Sequence, residues 1–241
     1  MLQSIDKKIK VLFYFILFFL LSTQLNKNID LEKNFLKKRN IIEIKGLSEK
    51  NNDEVYNSLK FLSNENIFFL KKDLFFNILK KNNLVETVYI KKIYPNLIKI
   101  NIEQAKLLAI TTQNGKKFYV GSNERLISLS KIEKLDYTLP FLYGKSNLNN
   151  FIKLKNIIDK SDLKFDEIES FYYFPSNRWD IKTKDGFIIK LPEKNILKSI
   201  KFANLIKKNE ELNKKKIIDL RIGNNIILSN EWKNFWYLFR I

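Results

Sequence analysis

Bond-making chemistry in this chain would have to proceed without histidine and without cysteine, because the 241 residues contain neither. Their absence removes the commonest general base and metal ligand. It also removes thiol nucleophiles, disulfides and thiolate zinc sites. No G-x-S-x-G elbow or P-loop pattern occurs, and no carboxylates cluster at ligand spacing. Lysine, aspartate, glutamate and tyrosine remain as acids and bases, but composition has closed most catalytic routes. The chain reads as a non-enzymatic binding protein with no cofactor and no small-molecule substrate.

Charge is the next candidate for a function. Lysine and arginine total 44 against 26 acidic residues, a formal net charge of +18. Such a balance often marks a nucleic-acid or anionic-membrane partner. Here the lysines are dispersed along the whole chain, without an Arg-rich block or an aromatic RNA-binding signature. Abundant Lys, Asn, Ile and Phe beside scarce Gly, Pro and Ala is the bias of an AT-rich coding sequence. Nucleic acid is therefore not expected as a partner.

Recognition needs elements to carry it, and the first is the apolar run Val11–Leu21. It follows Lys7, Lys8 and Lys10 and precedes Ser22, Thr23 and Gln24. A spanning helix wants about 20 apolar residues. The segment Ile9–Leu25 reaches about 17 if Lys10 and Gln24 snorkel. No small-residue cleavage site follows it, so an uncleaved anchor is expected. The short lysine-bearing tail 1–8 then lies in the cytoplasm, although Lys27, Lys33, Lys37, Lys38 and Arg39 on the far side weaken that rule. Residues 26–40 read as a polar linker.

From Ile41 the texture changes. Ile41, Ile42 and Ile44 before Gly46 predict a strand. Asn52 or Asp53 can cap a helix with Val55, Leu59 and Leu62 on one face. A second helix is expected over Lys72–Lys81, then a strand over Val85–Ile93 and a turn at Pro95-Asn96. Ile98, Ile100 and Ile102 alternate with Lys99, Asn101 and Glu103, as in a strand with one wet face. Further on, a helix is expected over Asn150–Lys160. Strands over Ile168–Phe174, Arg178–Thr183 and Phe187–Leu191 flank an Asp185-Gly186 hairpin signal. A helix over Ile196–Lys208 precedes strands at Ile217–Arg221 and Ile226–Leu228.

The order strand, helix, helix, strand, strand over residues 41–109 resembles the POTRA domain. The matching residues are Val85, Val88 and Ile90 in V-x-x-V-x-I, then Pro95, Ile98, Ile100, Ile102, Glu103 and Ala109. Asn66-Ile67-Phe68 is similar to the N-L-F that precedes the second helix in the FtsQ/DivIB family of bacterial division proteins. Leu107 stands where that pattern usually has proline. An unrelated small α+β unit is the alternative. The remainder extends the resemblance. Phe118-Tyr119-Val120 and the turn after it look like L-V-D-x-x-G without the aspartate. Leu139-Pro140-Phe141-Leu142-Tyr143-Gly144 is similar to L-P-x-L-x-G. Arg178-Trp179, Ile181, Gly186, Ile189 and Leu191 resemble R-W-x-L…G-x-x-[IV]-x-L, and Ile218-Asp219-Leu220-Arg221 resembles V-D-L-R.

The resemblance implies an α+β chain: transmembrane helix 9–25, POTRA domain 41–109, mainly antiparallel β-domain 110–230 and aromatic tail 231–241. It implies a single-pass inner-membrane protein, its bulk periplasmic, enriched at the division septum. In the family the last strands of the β-domain are understood to receive a segment of FtsB, which coils with FtsL. By that match, Arg221 would contact an acidic partner residue, with Ile222, Ile226 and Leu228 forming pockets and Arg178 a second positive contact. The structural alternative pairs Asp219 with Arg221 or uses Asp219 to cap a turn. Trp179 reads as core. Trp232, Phe235, Trp236 and Phe239 stand at helical spacing and would either pack on the β-domain or form an exposed ridge. A substrate-handling POTRA component of outer-membrane protein assembly or secretion is the other class. Such proteins carry repeated POTRA units and a membrane barrel, and neither repeats nor a long series of aromatic-girdled strands is visible.

Overall fold

A computed structural model describes residues 7–24, 39–134, 136–145, 147–222 and 225–230. Residues 1–6 of the expected tail, nearly all of the expected linker and the aromatic stretch 231–241 lie outside the described residues. The first helix, α1 (Lys7–Gln24), is 18 residues long and so about 27 Å. It starts inside the expected tail. Val11–Leu21 are exposed on every side, with Phe15 at 72% and Phe18 at 73%. Three of the 18 residues are lysine, and no helix among the described residues is long and apolar enough to cross a membrane.

Strand β1 (Ile41–Lys45), helices α2 (Glu49–Leu59) and α3 (Lys72–Leu79), and strands β2 (Val85–Ile93) and β3 (Leu97–Gln104) follow in the expected order. The sheet order is β1-β3-β2, with β1 parallel and β2 antiparallel to β3. The alternation in β3 buries Ile98, Ile100 and Ile102 against Val55, Leu59, Phe75 and Leu79 of the helices. Gly46 is required at its turn: its φ is +115°, and a Cβ there would fall 1.8 Å from the Ile102 carbonyl oxygen. Helix α2 begins earlier than the capping residues predict. Asn52 lies in its first turns, where its side chain bonds both the amide and the carbonyl of Leu47. An asparagine can close a turn from inside a helix as well as cap one, and sequence does not separate the two uses.

The expected boundary after Ala109 is corrected. The Ala105 amide donates to the Leu84 carbonyl at 2.8 Å and ends the first unit. Strand β4 (Leu107–Gln113) already belongs to a second sheet, and Ala109 is fully buried in the second core. The strands β5 (Lys116–Gly121), β6 (Leu126–Ser128), β7 (Phe141–Tyr143), β8 (Ile168–Phe174), β9 (Arg178–Thr183), β10 (Ile188–Lys190), β11 (Ile217–Asp219) and β12 (Ile227–Ser229) complete it. The order is β12-β11-β10-β9-β8-β7-β4-β5-β6. The sheet is mainly antiparallel, as expected, with parallel pairs at β4–β7, β7–β8 and β10–β11. Parallel neighbours need a long crossover. Helices α4 (Leu148–Ile158) and α5 (Ile196–Lys208) supply two of these and bring Phe151, Leu154, Ile200 and Ala203 onto one face of the sheet. Trp179, 3% exposed, lies in that core against Phe151 and Tyr173, which bears out its structural reading.

A third cluster joins the two units. Leu84 and Ala105 pack with Ile110, Tyr119 and Ile127 of the large sheet. Asn83 and Asn123 exchange hydrogen bonds across the junction, to Leu126 and Asn83 carbonyls at 2.8 and 2.9 Å. Asn51 donates to the Lys131 carbonyl at 2.8 Å. The small sheet is thus seated on the large one by an apolar cluster ringed with directional bonds.

Candidate partner-binding site

The last strand sets the site. β12 is hydrogen-bonded to β11 on one side, and among the described residues no strand covers its other side. Unpaired N–H and C=O groups on such an edge are a template for another chain. Around it Ile222, Ile226 and Ile227 are exposed at 55%, 43% and 48%. Leu228 differs from expectation: it stands opposite Ile218 and packs, half-buried, on the helix-covered core. The strand's alternation sends it inward, so Ile227 rather than Leu228 is available beside Ile222 and Ile226.

Arg221 follows β11 directly and is held by the residue two before it. Its Nε donates to Asp219 Oδ1 and Oδ2 at 2.8 and 3.0 Å, and Nη2 donates to Oδ2. Its backbone amide also bonds Oδ1 at 3.1 Å. Those hydrogen bonds to Asp219 raise the Arg221 pKa above its usual value. Burial pushes the Asp219 carboxyl up, but the Arg221 bonds and charge outweigh it and leave the carboxyl below its usual range. The pairing expected as the structural alternative is therefore present. It also fixes the fork, leaving Nη1 without a partner among the described residues. A guanidinium so held loses little freedom when a carboxylate arrives.

Arg178 is brought toward the same face from three strands away. Strand registers align Tyr172, Asp180, Lys190, Asp219 and Ile227 in one row across β8 to β12. Arg178 stands two residues from Asp180, hence on the same face, with its guanidinium 5.7 Å from the Phe174 ring centre. Its Nε is buried without a hydrogen-bond partner. Asp180 is 2% exposed and its Oδ1 likewise has no partner. Burial pushes the Asp180 carboxyl up to about 6, with Lys190, Arg221 and Arg178 only partly offsetting the effect. The result is an alternating row of charge ending at the open edge. Asp180 and Lys190 were not singled out from sequence. The signal was there: in Arg178-Trp179-Asp180-Ile181 a buried tryptophan face implies that Arg178 and Asp180 share the other one.

Among the described residues no group of three or more carboxylates could hold a metal ion.

Residues 95–221 match the family described as cell division protein FtsQ/DivIB, C-terminal, and residues 38–104 match the POTRA domain, FtsQ-type. The chain belongs to the FtsQ/DivIB family of cell division proteins. It is 29% identical over 190 residues to the cell division protein FtsQ of Rickettsia bellii, covering 78% of this chain and 70% of that protein. Against FtsQ of Rickettsia felis it is 29% identical over 160 residues, 66% of this chain and 59% of the relative. A solved extracytoplasmic domain of the division protein DivIB from Geobacillus stearothermophilus aligns with 46% of this chain and 98% of its own, at 13% identity and a TM-score of 0.34.

Proposed function

We propose that this protein is a single-pass inner-membrane scaffold of the bacterial divisome, recruiting an FtsB–FtsL pair by strand addition along β12. The observation that carries this reading is the open β12 edge with the pre-held Arg221 at its end. An added strand gains affinity from main-chain hydrogen bonds and specificity from side-chain pockets. Ile222, Ile226 and Ile227 offer the apolar contacts. Arg221 reads an acidic residue on the partner, and Arg178 adds positive potential from the same sheet face. Leu228 supports the edge from the core side.

In this reading α1 is the anchor. Its eighteen residues, Lys7, Lys8 and Lys10 among them, fall just short of the hydrocarbon thickness, so those lysines would lie in the span with their heads snorkelling to the headgroups. Its apolar surface on every side supports lipid as its surroundings, since a helix without a polar face has no place at a water boundary. The bulk of the chain is then periplasmic, working at the septum.

Arg221→Glu tests the partner site. Binding to the purified FtsB–FtsL pair is expected to weaken about 100-fold, as for removal of a buried charged contact. Unchanged affinity would overturn the assignment of Arg221.

A further inference from the structure

The POTRA unit carries a second exposed feature, between α2 and α3. Phe61, Phe69 and Leu74 rim an open hollow of about 390 Å³, floored by Leu62 and Leu70. Phe69 is 82% exposed, and the neighbouring Phe68, 59% exposed, stacks on Tyr94 at 4.7 Å. These rings are presented by a built turn. The Asn66 side chain accepts from the Phe68 amide at 3.0 Å, turning Ile67 and Leu70 inward and the two phenylalanines outward. Lys92 Nζ donates to the Ile67 carbonyl at 2.8 Å and to the Leu70 carbonyl, pinning both ends of the turn.

The hollow lies where the chain arrives from α1. Asn40 donates from its side chain to the Leu62 and Glu65 carbonyls at 3.2 and 2.7 Å, and from its amide to the Ser63 carbonyl at 2.8 Å. Asn40, just before β1, is thus bonded to the rim of the hollow. Fifteen residues, 25–39, separate it from the end of α1, which limits their separation to about 50 Å. Lys71 lines the hollow beside Glu65, and Arg39, Lys60 and Lys72, with Asp73, are exposed next in sequence to residues that line or bond its rim.

We infer that this aromatic and basic pole of the POTRA unit docks on the anionic lipid surface of the membrane that holds α1. The inference rests on the reading of α1 as the anchor. A patch of this size binds lipid weakly by itself, and stable attachment takes two signals. Here the tether supplies the second by keeping the patch at high local concentration over the bilayer. Rings enter the headgroup boundary and lysines pair with lipid phosphates, each attraction fading within a Debye length. Docking would fix which way the POTRA unit faces, and, through the Leu84 cluster, the large sheet with it.

The cysteine-free sequence makes one introduced thiol a unique label site. Full chains carrying Phe69→Cys or, as a control on the β-domain, Tyr137→Cys (74% exposed) are nitroxide-labelled and reconstituted in phosphatidylcholine vesicles with or without phosphatidylglycerol. The ratio of collisions with lipid-borne oxygen to those with a water-borne nickel chelate is expected to be about tenfold higher at 69 than at 137 in anionic vesicles. Lys60→Glu with Lys71→Glu and Lys72→Glu, all exposed positions, should bring the ratio at 69 most of the way to the control. Equal ratios at the two positions on a chain that resists alkaline carbonate extraction would overturn this inference alone. So would protection at 69 that arises only when a protein partner is added. Release of the chain by carbonate would overturn the anchor reading and this one with it.

Discussion

The small sheet and the large sheet end in edges of opposite character. β2, one of the two outer strands of the small sheet, is nine residues long and has an irregular register at its start between Val85 and Thr87. It carries Lys91, Glu86, which accepts from Ser122, and Lys92, which donates to the Ile67 and Leu70 carbonyls. Charge and a bulge are the usual means of blocking an unwanted strand. β12 is three residues long and is preceded by Ile226, with no charged residue from Asn225 to Asn230. One edge is defended and the other is left sticky. The contrast lies in the side chains: β2 carries charge where β12 and the residues beside it carry none.

The largest expected effect tests whether the two sheets behave as one body. Leu84 belongs to the small unit but is fully buried in the joint cluster. Leu84→Ala should cost about 2–5 kcal/mol, as for other leucines deleted from cores. The small unit contains no tryptophan, while Trp179 sits in the large core. With Trp232 and Trp236 replaced by phenylalanine, denaturation followed by Trp179 emission should therefore register the loss, although the substitution is in the other unit. An unshifted Trp179 transition would divide the two sheets into independent bodies.

Asp180→Asn comes next, and its sign is positive. A carboxyl raised from the ordinary value near 4 to about 6 in the fold binds its proton more tightly folded than unfolded. Stability therefore falls as pH rises from about 4 to 6, and the full penalty, at most about 3 kcal/mol, stands above pH 6. The amide removes it: the variant should be more stable than the parent at pH 7.5, with the gain vanishing near pH 4. Melting temperatures across that range measure it. A destabilised variant at pH 7.5 would make Asp180 a needed counter-ion for Arg178, Lys190 and Arg221 instead.

Defending the open edge should cost binding. Ile227→Lys is expected to weaken capture of the FtsB–FtsL pair by about 2 kcal/mol, or roughly thirtyfold, with melting unchanged. The smallest effect is expected at the edge already defended. Tyr89→Lys on β2, at an exposed position, should alter stability by less than about 0.5 kcal/mol and leave partner affinity the same. Comparable losses at Ile227 and Tyr89 would erase the distinction between the edges.

Much of this architecture was legible in the chain. The alternation of Ile98, Ile100 and Ile102 predicts β3, and the Asp185-Gly186 signal predicts the β9–β10 turn, where Gly186 has a φ of +88°. The helix expected over Ile196–Lys208 is found with those bounds. These features come from neighbours in sequence, whose periodicity and turn chemistry act over a few residues. The boundary at Ala109 was misplaced because two residues separate the sheets, too few to leave a linker composition. At the site, Ile222 and Ile226 are exposed and Arg178 is half-buried, whereas Leu228 turns inward because register with Ile218 decides its face.

What the sequence determined by itself is the elements with a strong period and the face those present, since a period of two or of 3.6 is written in adjacent residues. Only the tertiary structure decided that β7 inserts between β4 and β8, and that Asp180, Lys190 and Asp219 form one row. It also decided that Phe69 stays in the open while Phe75 is wholly buried. Those outcomes depend on which strands meet across long loops, and on how much of each side chain its neighbours then cover. No local spacing carries that information.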